Sequence, residues 1–170
     1  AVRTTIDGKF VAVDKKRFLI KGVTYGTFAP DAKGYQFPTV DVIARDFAGM
    51  QAVGINTVRT YTTPGPALLD EAARHGLRVM VGIPWSQHVA FLDDASLCRQ
   101  IRHDVVTGVR ELAGHPAALL FALGNEVPAP VVRWHGPTRV EQFLRELYEA
   151  AKTAAPDALL TYVNYPPTEY

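Results

Sequence analysis

Five short apolar runs, separated by segments of helical period, constrain this chain more than any other feature. The runs are "FLIKGVTY" (Phe18 to Tyr25), "INTVRTY" (Ile55 to Tyr61), "LRVMVGI" (Leu77 to Ile83), "AALLFAL" (Ala117 to Leu123) and "LLTYV" (Leu159 to Val163). Between the first two, Val40, Ile43, Phe47 and Met50 fall at helical spacing. Pro66 opens the next helix through Leu68, Leu69, Ala72 and Ala73, and Gly76 stops it. Leu97, Ile101, Val105 and Leu112 line a third helix face. Thr138 and Glu141 read as a capping box in front of Val140, Phe143, Leu144, Leu147 and Ala151, and Pro156 ends that helix.

Strict alternation of strand and helix predicts a parallel sheet with right-handed crossovers. Runs that are apolar throughout fit strands covered on both faces. Before them, Asp7-Gly8 and Asp14-Lys15-Lys16 are turn points, which predicts a short N-terminal β-hairpin extension over residues 1–17. Two architectures accommodate the rest. An open doubly wound sheet usually carries a Gly-rich turn after its first strand, and "GVTYGTFAP" lacks one. The other is a (β/α)8 barrel, which takes ~250 residues when whole. The expectation is therefore an α/β fold. Residues 18–170 form a partial (β/α)8 TIM barrel of about five strands and four helices, truncated after the fifth strand.

Bulk composition narrows the function classes. The 170 residues are 48% hydrophobic, and 18 Lys and Arg oppose 17 Asp and Glu for a net charge of +1. A near-neutral chain without a basic cluster in its sequence predicts no nucleic-acid footprint. No apolar run approaches the ~20 residues of a membrane span. Cys98 stands alone, so no intrachain disulfide forms, and no pair of His residues has zinc-ligand spacing. No metal and no cofactor are expected. With no signal-peptide pattern, a cytoplasmic location is the expectation, although a start at Ala1 rather than Met suggests a trimmed segment.

In either architecture, sites form beyond the carboxyl ends of the strands. That rule sorts the polar residues. His75 and His115 fall on the opposite face and read as structural, and His103 reads as a solvated helix residue. The strand-end loops offer Tyr25, Phe28 and Asp31; Arg59 and Tyr61; Trp85, Gln87, His88, Asp93 and Asp94; Asn125, Glu126, Trp134 and His135; and Tyr162, Asn164, Tyr165 and Glu169. Flat aromatic faces mixed with amide, hydroxyl and charged groups suit a sugar ring, whose C–H faces are apolar and whose edges are polar. Such aromatics also serve simply to cap a barrel mouth.

Within this set "ALLFALGNEV" is the sharpest signal, because an apolar strand ends abruptly on Asn125-Glu126. A carboxyl at such a mouth is partly desolvated, and desolvation favours its protonated form. That suits a general acid, which must hold a proton and then release it. The competing reading is a structural Glu126 paired with Arg59.

"FLIKGVTYG", "MQAVGINTVRTY", "HGLRVMVGIPW" and "HPAALLFALGNEV", taken in order, resemble the first half of a clan A glycoside hydrolase barrel of the β-galactosidase and β-glucuronidase type. The resemblance runs from about Phe18 to Tyr170. It implies that Glu126 is the general acid/base and that Asn125 contacts the sugar hydroxyl next to the reacting carbon. It implies that Arg59 supports the nucleophile. The looser part of the resemblance places Trp85 and His88 at the substrate, and Tyr25, Trp134 and Tyr162 complete the expected sugar-binding set.

One part of the family's pattern has no counterpart. Retaining glycosidases need a second carboxylate ~5–5.5 Å from the first, and the family carries it on the seventh strand. Asp31, Asp93, Asp94 and Glu169 do not stand at that position. The resemblance therefore implies a retaining, β-specific barrel fragment with the acid/base but without the nucleophile, inactive alone. Its expected partners are a carbohydrate and either the remaining barrel half or a second copy paired through the exposed sheet edge. A non-catalytic carbohydrate-binding half-barrel and a complete small α/β domain with an unrelated ligand stay open as alternatives.

Overall fold

A computed structural model describes residues 4–164. Tyr165 and Glu169, two of the expected strand-end residues, lie outside this range. The chain opens with a three-stranded antiparallel sheet of β1 (Thr4–Asp7), β2 (Phe10–Val13) and β3 (Lys16–Arg17). The expected hairpin is thus extended by a third strand. Asp14 and Lys15 both turn at positive φ, which returns the chain to pair Lys16 with Val13.

The main sheet contains β4 (Gly22–Thr24), β5 (Thr57–Arg59), β6 (Arg78–Gly82), β7 (Ala118–Asn125) and β8 (Leu160–Val163), in that spatial order. All neighbours are parallel. Its crossovers carry α1 (Val40–Ala52), α2 (Pro66–Arg74), α3 (Ala95–Leu112), the short α4 (Ala129–His135) and α5 (Pro137–Ala154). Chain order equals sheet order, as in a barrel wall; a doubly wound sheet reverses direction at a switch point. The expected partial barrel is the architecture present.

Three local expectations change. The first strand is shorter than Phe18 to Tyr25. The Phe18 N–H donates to Val11 in the small sheet, and the Asn56 side chain ties Lys21 N–H and the Leu19 carbonyl. A fifth helix, α4, occupies the connection expected as a loop around Trp134 and His135. It has 7 residues, too few to show helical periodicity in sequence. The capping box at Thr138 and Glu141 does not form. Pro137 takes the first helical position and Gly136, at φ 84°, precedes it, so Thr138 lies inside α5.

Burial explains why these elements stay together. Val58, Val79, Val81 and Phe121 point from the sheet to the helices, meeting Phe47, Leu68, Ile101, Val105 and Leu147 in one core. The alternate positions, including Arg59, Met80 and Leu120, line a hollow of about 380 Å³ on the other face. The three residues of β4 are all exposed, which fits an edge strand paired with β5 alone among the described residues.

Candidate active site

The end of β7 carries the site, and an irregularity in that strand aims it. Ala122 pairs with Thr161 and Asn125 with Val163, so β7 uses three steps where β8 uses two. The extra residue is a bulge, a feature that re-aims side chains beside active sites. Gly124 sits inside it at φ 147°. Trp85 lies over Gly124 so closely that a Cβ there would stand 2.8 Å from the indole Nε1. The same Nε1–H donates to the Leu123 carbonyl at 2.9 Å. The indole also meets Phe91 edge-on at 5.0 Å, which locks it from behind.

After the bulge the chain turns sharply. Glu126 adopts φ 54°, a left-handed conformation that costs an L residue about 1–2 kcal/mol. Two hydrogen bonds hold the turn. The Glu126 N–H donates to the Val163 carbonyl at 2.8 Å, and the Val127 N–H donates to the Tyr162 hydroxyl at 2.8 Å. Glu126 itself is half-buried and forms no ion pair among the described residues. The Tyr162 hydroxyl is pushed up in pKa, first by burial and then by the Glu126 charge, against the opposing Val127 hydrogen bond. Tyr162 therefore keeps its phenolic proton beside the carboxylate.

Arg59 reaches across from β5 and donates to the Asn125 Oδ1. Its guanidinium also stacks on Tyr61, 4.7 Å from the ring centre. The alternative pairing of Arg59 with Glu126 is not made. With Oδ1 held by a cation, the two N–H donors of the Asn125 amide are left for another group. Arg59, Asn125, Gly124 and Gly82 line one small hollow at the strand ends.

The other expected site residues divide. Trp85 and Tyr162 lie against the Gly124–Val127 turn and hold its backbone. His88 is exposed next to Gln87, 3.4 Å away. Tyr25 is 4% exposed and donates its hydroxyl to Asp46 of α1 at 2.9 Å, which places it in the core between sheet and helix. Trp134 is 72% exposed on α4, with its Nε1–H on Asp93 at 2.7 Å. Among the remaining acids, Asp94 caps α3 by accepting from Ser96 and Leu97, and Asp31 accepts from Lys33 and Tyr35. His115 bonds to Asp70 and to the Ala117 N–H. Sequence reasoning missed Gly124 as a site residue. Its signal was a glycine standing between an apolar run and Asn-Glu.

Residues 4–169 match the family model described as "Glycosyl hydrolases family 2, TIM barrel domain". Solved structures agree in fold. A Bifidobacterium dentium β-glucuronidase complexed with coumarin-3-O-glucuronide superposes with TM-score 0.79 at 16% identity, over 98% of this chain and 27% of that one. A Faecalibacterium prausnitzii β-glucuronidase gives TM-score 0.79 at 21% identity, over 98% and 28%. A Parabacteroides merdae β-glucuronidase gives 0.74 at 20% identity, over 94% and 20%. A sequence comparison with curated proteins gave no match. The chain spans between a fifth and about three tenths of these three structures. A match over nearly the whole chain, on a wall of sequential parallel strands, makes this chain a member of the glycosyl hydrolase family 2 TIM barrel domain.

Proposed function

We propose that the polypeptide carrying this chain cleaves or transfers a β-linked sugar with retention, and that Glu126 is its acid/base. The observation that carries this reading is the turn after β7. There a half-buried carboxylate in a left-handed conformation adjoins an amide whose oxygen is held by Arg59. Strain of this kind persists where the surroundings over-determine it, and it clusters at active sites. The family assignment and the β-glucuronidase names of the superposable structures support the substrate class.

The chemistry proceeds in two displacements. Protonated Glu126 gives its proton to the glycosidic oxygen as the bond from C1 to that oxygen breaks. A second carboxylate bonds to C1, giving a glycosyl ester. Glu126, now a carboxylate, takes a proton from water or an acceptor hydroxyl. That oxygen bonds to C1 and releases the second carboxylate. Asn125 offers its amide N–H groups to the neighbouring sugar hydroxyl. We assign the second carboxylate to the complementary part of the barrel, so that these 170 residues alone give no turnover.

The test uses the full-length natural polypeptide and aryl β-glycosides, β-glucuronides included. Glu126→Gln is expected to lower kcat at least about 100-fold, the lower end of general acid–base contributions. An aryl glycoside with an acidic phenol should lose less, because its leaving group needs little protonation. Unchanged kcat in the Gln variant would reject Glu126 as the acid/base.

A further inference from the structure

The outer surface of the barrel wall holds a groove of about 670 Å³ between α3 and α5, sharing no residue with the Glu126 site. Four arginines line it: Arg99, Arg102 and Arg110 from α3, and Arg139 from α5. On α3 they stand three and eight residues apart, so they recur along one side of the helix. Glu146 is the single carboxylate in the lining, and it is committed to Arg102 at 2.6 Å. The other three guanidinium groups have no ion-pair partner among the described residues. With His103 neutral the lining carries a net +3, on a chain whose whole net charge is +1.

Like charges gathered on one wall repel, and an anion in the groove relieves that repulsion. Guanidinium forks match phosphate oxygens two bonds at a time. Leu92 and Val106, both partly exposed, add apolar surface to the same groove, with the buried Phe143 behind them. The volume lies within the range of small-molecule sites. Charged groups together with an apolar lining suit an amphiphilic anion better than a bare one.

We propose that this groove binds a phosphorylated small molecule with an apolar body, in chemical class a nucleoside polyphosphate. The phosphates pair with Arg99, Arg139 and Arg110, and the apolar body rests on the partly exposed Leu92 and Val106. Arg102, held by Glu146, ties the two helices and keeps the walls at a fixed separation.

Titration calorimetry on the full-length polypeptide tests it, with magnesium-free ATP and inorganic tripolyphosphate as probes. Both are expected to bind with Kd below about 1 mM, ATP more tightly than tripolyphosphate, because only ATP uses the apolar lining. Binding should weaken as ionic strength rises from about 0.01 to 0.15 M. Arg99→Glu combined with Arg139→Glu should lower ATP affinity at least tenfold while the thermal midpoint stays near wild type. Should that pair impair folding, Arg139→Gln alone is expected to lower affinity measurably. Backbone amide shifts on ATP addition should centre on Val106, Thr107 and Gln142. Absence of saturable binding, or equal affinity in the folded charge variants, would overturn the proposal.

Discussion

Trp85 occupies the space that a side chain at position 124 would need: a Cβ on Gly124 would stand 2.8 Å from its Nε1 and 2.9 Å from its Cζ2. This contact joins the loop after β6 to the bulge of β7, and so fixes where Asn125 and Glu126 emerge. Gly124→Ala should therefore destabilise the fold by about 1–3 kcal/mol, the range for overpacking a filled site. The positive φ of Gly124 adds to that cost. Denaturant unfolding gives the energy, and a changed tryptophan emission in the folded variant shows that the indole has moved. An unchanged midpoint and spectrum would mean that the ring yields freely.

Tyr162 holds the other side of the turn. Its hydroxyl accepts the N–H of Val127, which is 4% exposed. Tyr162→Phe removes that acceptor and leaves a buried donor unpaired, at about 1–3 kcal/mol. In the full-length polypeptide kcat should fall more than KM rises, because the change loosens the carboxylate without removing sugar contacts. A loss confined to KM would argue for direct substrate binding by Tyr162.

Arg59 and Lys are not equivalent at the Asn125 contact. Arg59 donates to Oδ1 while stacking on Tyr61, a combination of planar fork and flat face that an ammonium lacks. Arg59→Lys should lower kcat/KM about tenfold or more, on the scale of one charged hydrogen bond of ~1.5–3 kcal/mol. Steady-state kinetics on an aryl β-glycoside measures it. Wild-type kcat/KM in the Lys variant would show that charge alone suffices.

Alkaline pH offers a test independent of activity. Burial, then the hydrogen bond to Asp46 and its charge, push the Tyr25 hydroxyl far up in pKa, and Tyr162 is shifted in the same direction. The unfolded chain ionises its tyrosines near pH 10. Above that pH the unfolded state releases protons that the folded state retains. Stability is thus fully present below about pH 10 and declines as pH rises toward the folded values. Urea midpoints measured from pH 8 to 11 should hold level and then fall above about pH 10, and Tyr25→Phe should flatten the fall. A Phe variant that declines as steeply as wild type would remove Tyr25 from this linkage.

Much of the architecture was legible in the order of residues. The strand-helix alternation predicts five sequential parallel strands, and "INTVRTY" and "LRVMVGI" contain β5 and β6. The elements that escaped are those set by neighbours. The first strand shrinks to Gly22–Thr24 because Asn56, 35 positions beyond Lys21, captures the backbone before it. The start of α5 moves because Pro137 fits the first helical turn better than the Thr138 box does.

The candidate site divides in the same way. An apolar run broken by Gly-Asn-Glu is a local signal. It marks Asn125 and Glu126 by itself, because burying a carboxyl at a strand end costs free energy and so calls for a reason. What tertiary structure decided is the work of each neighbour. Arg59 turned to Asn125 rather than to Glu126, Trp85 settled over Gly124, and Tyr25 turned to Asp46 of α1. Each of these pairs joins residues 21 to 66 positions apart, on different strands, loops or helices. Sequence carries the periodicity of one element at a time. Which side chains from different elements share a volume follows only from how those elements pack.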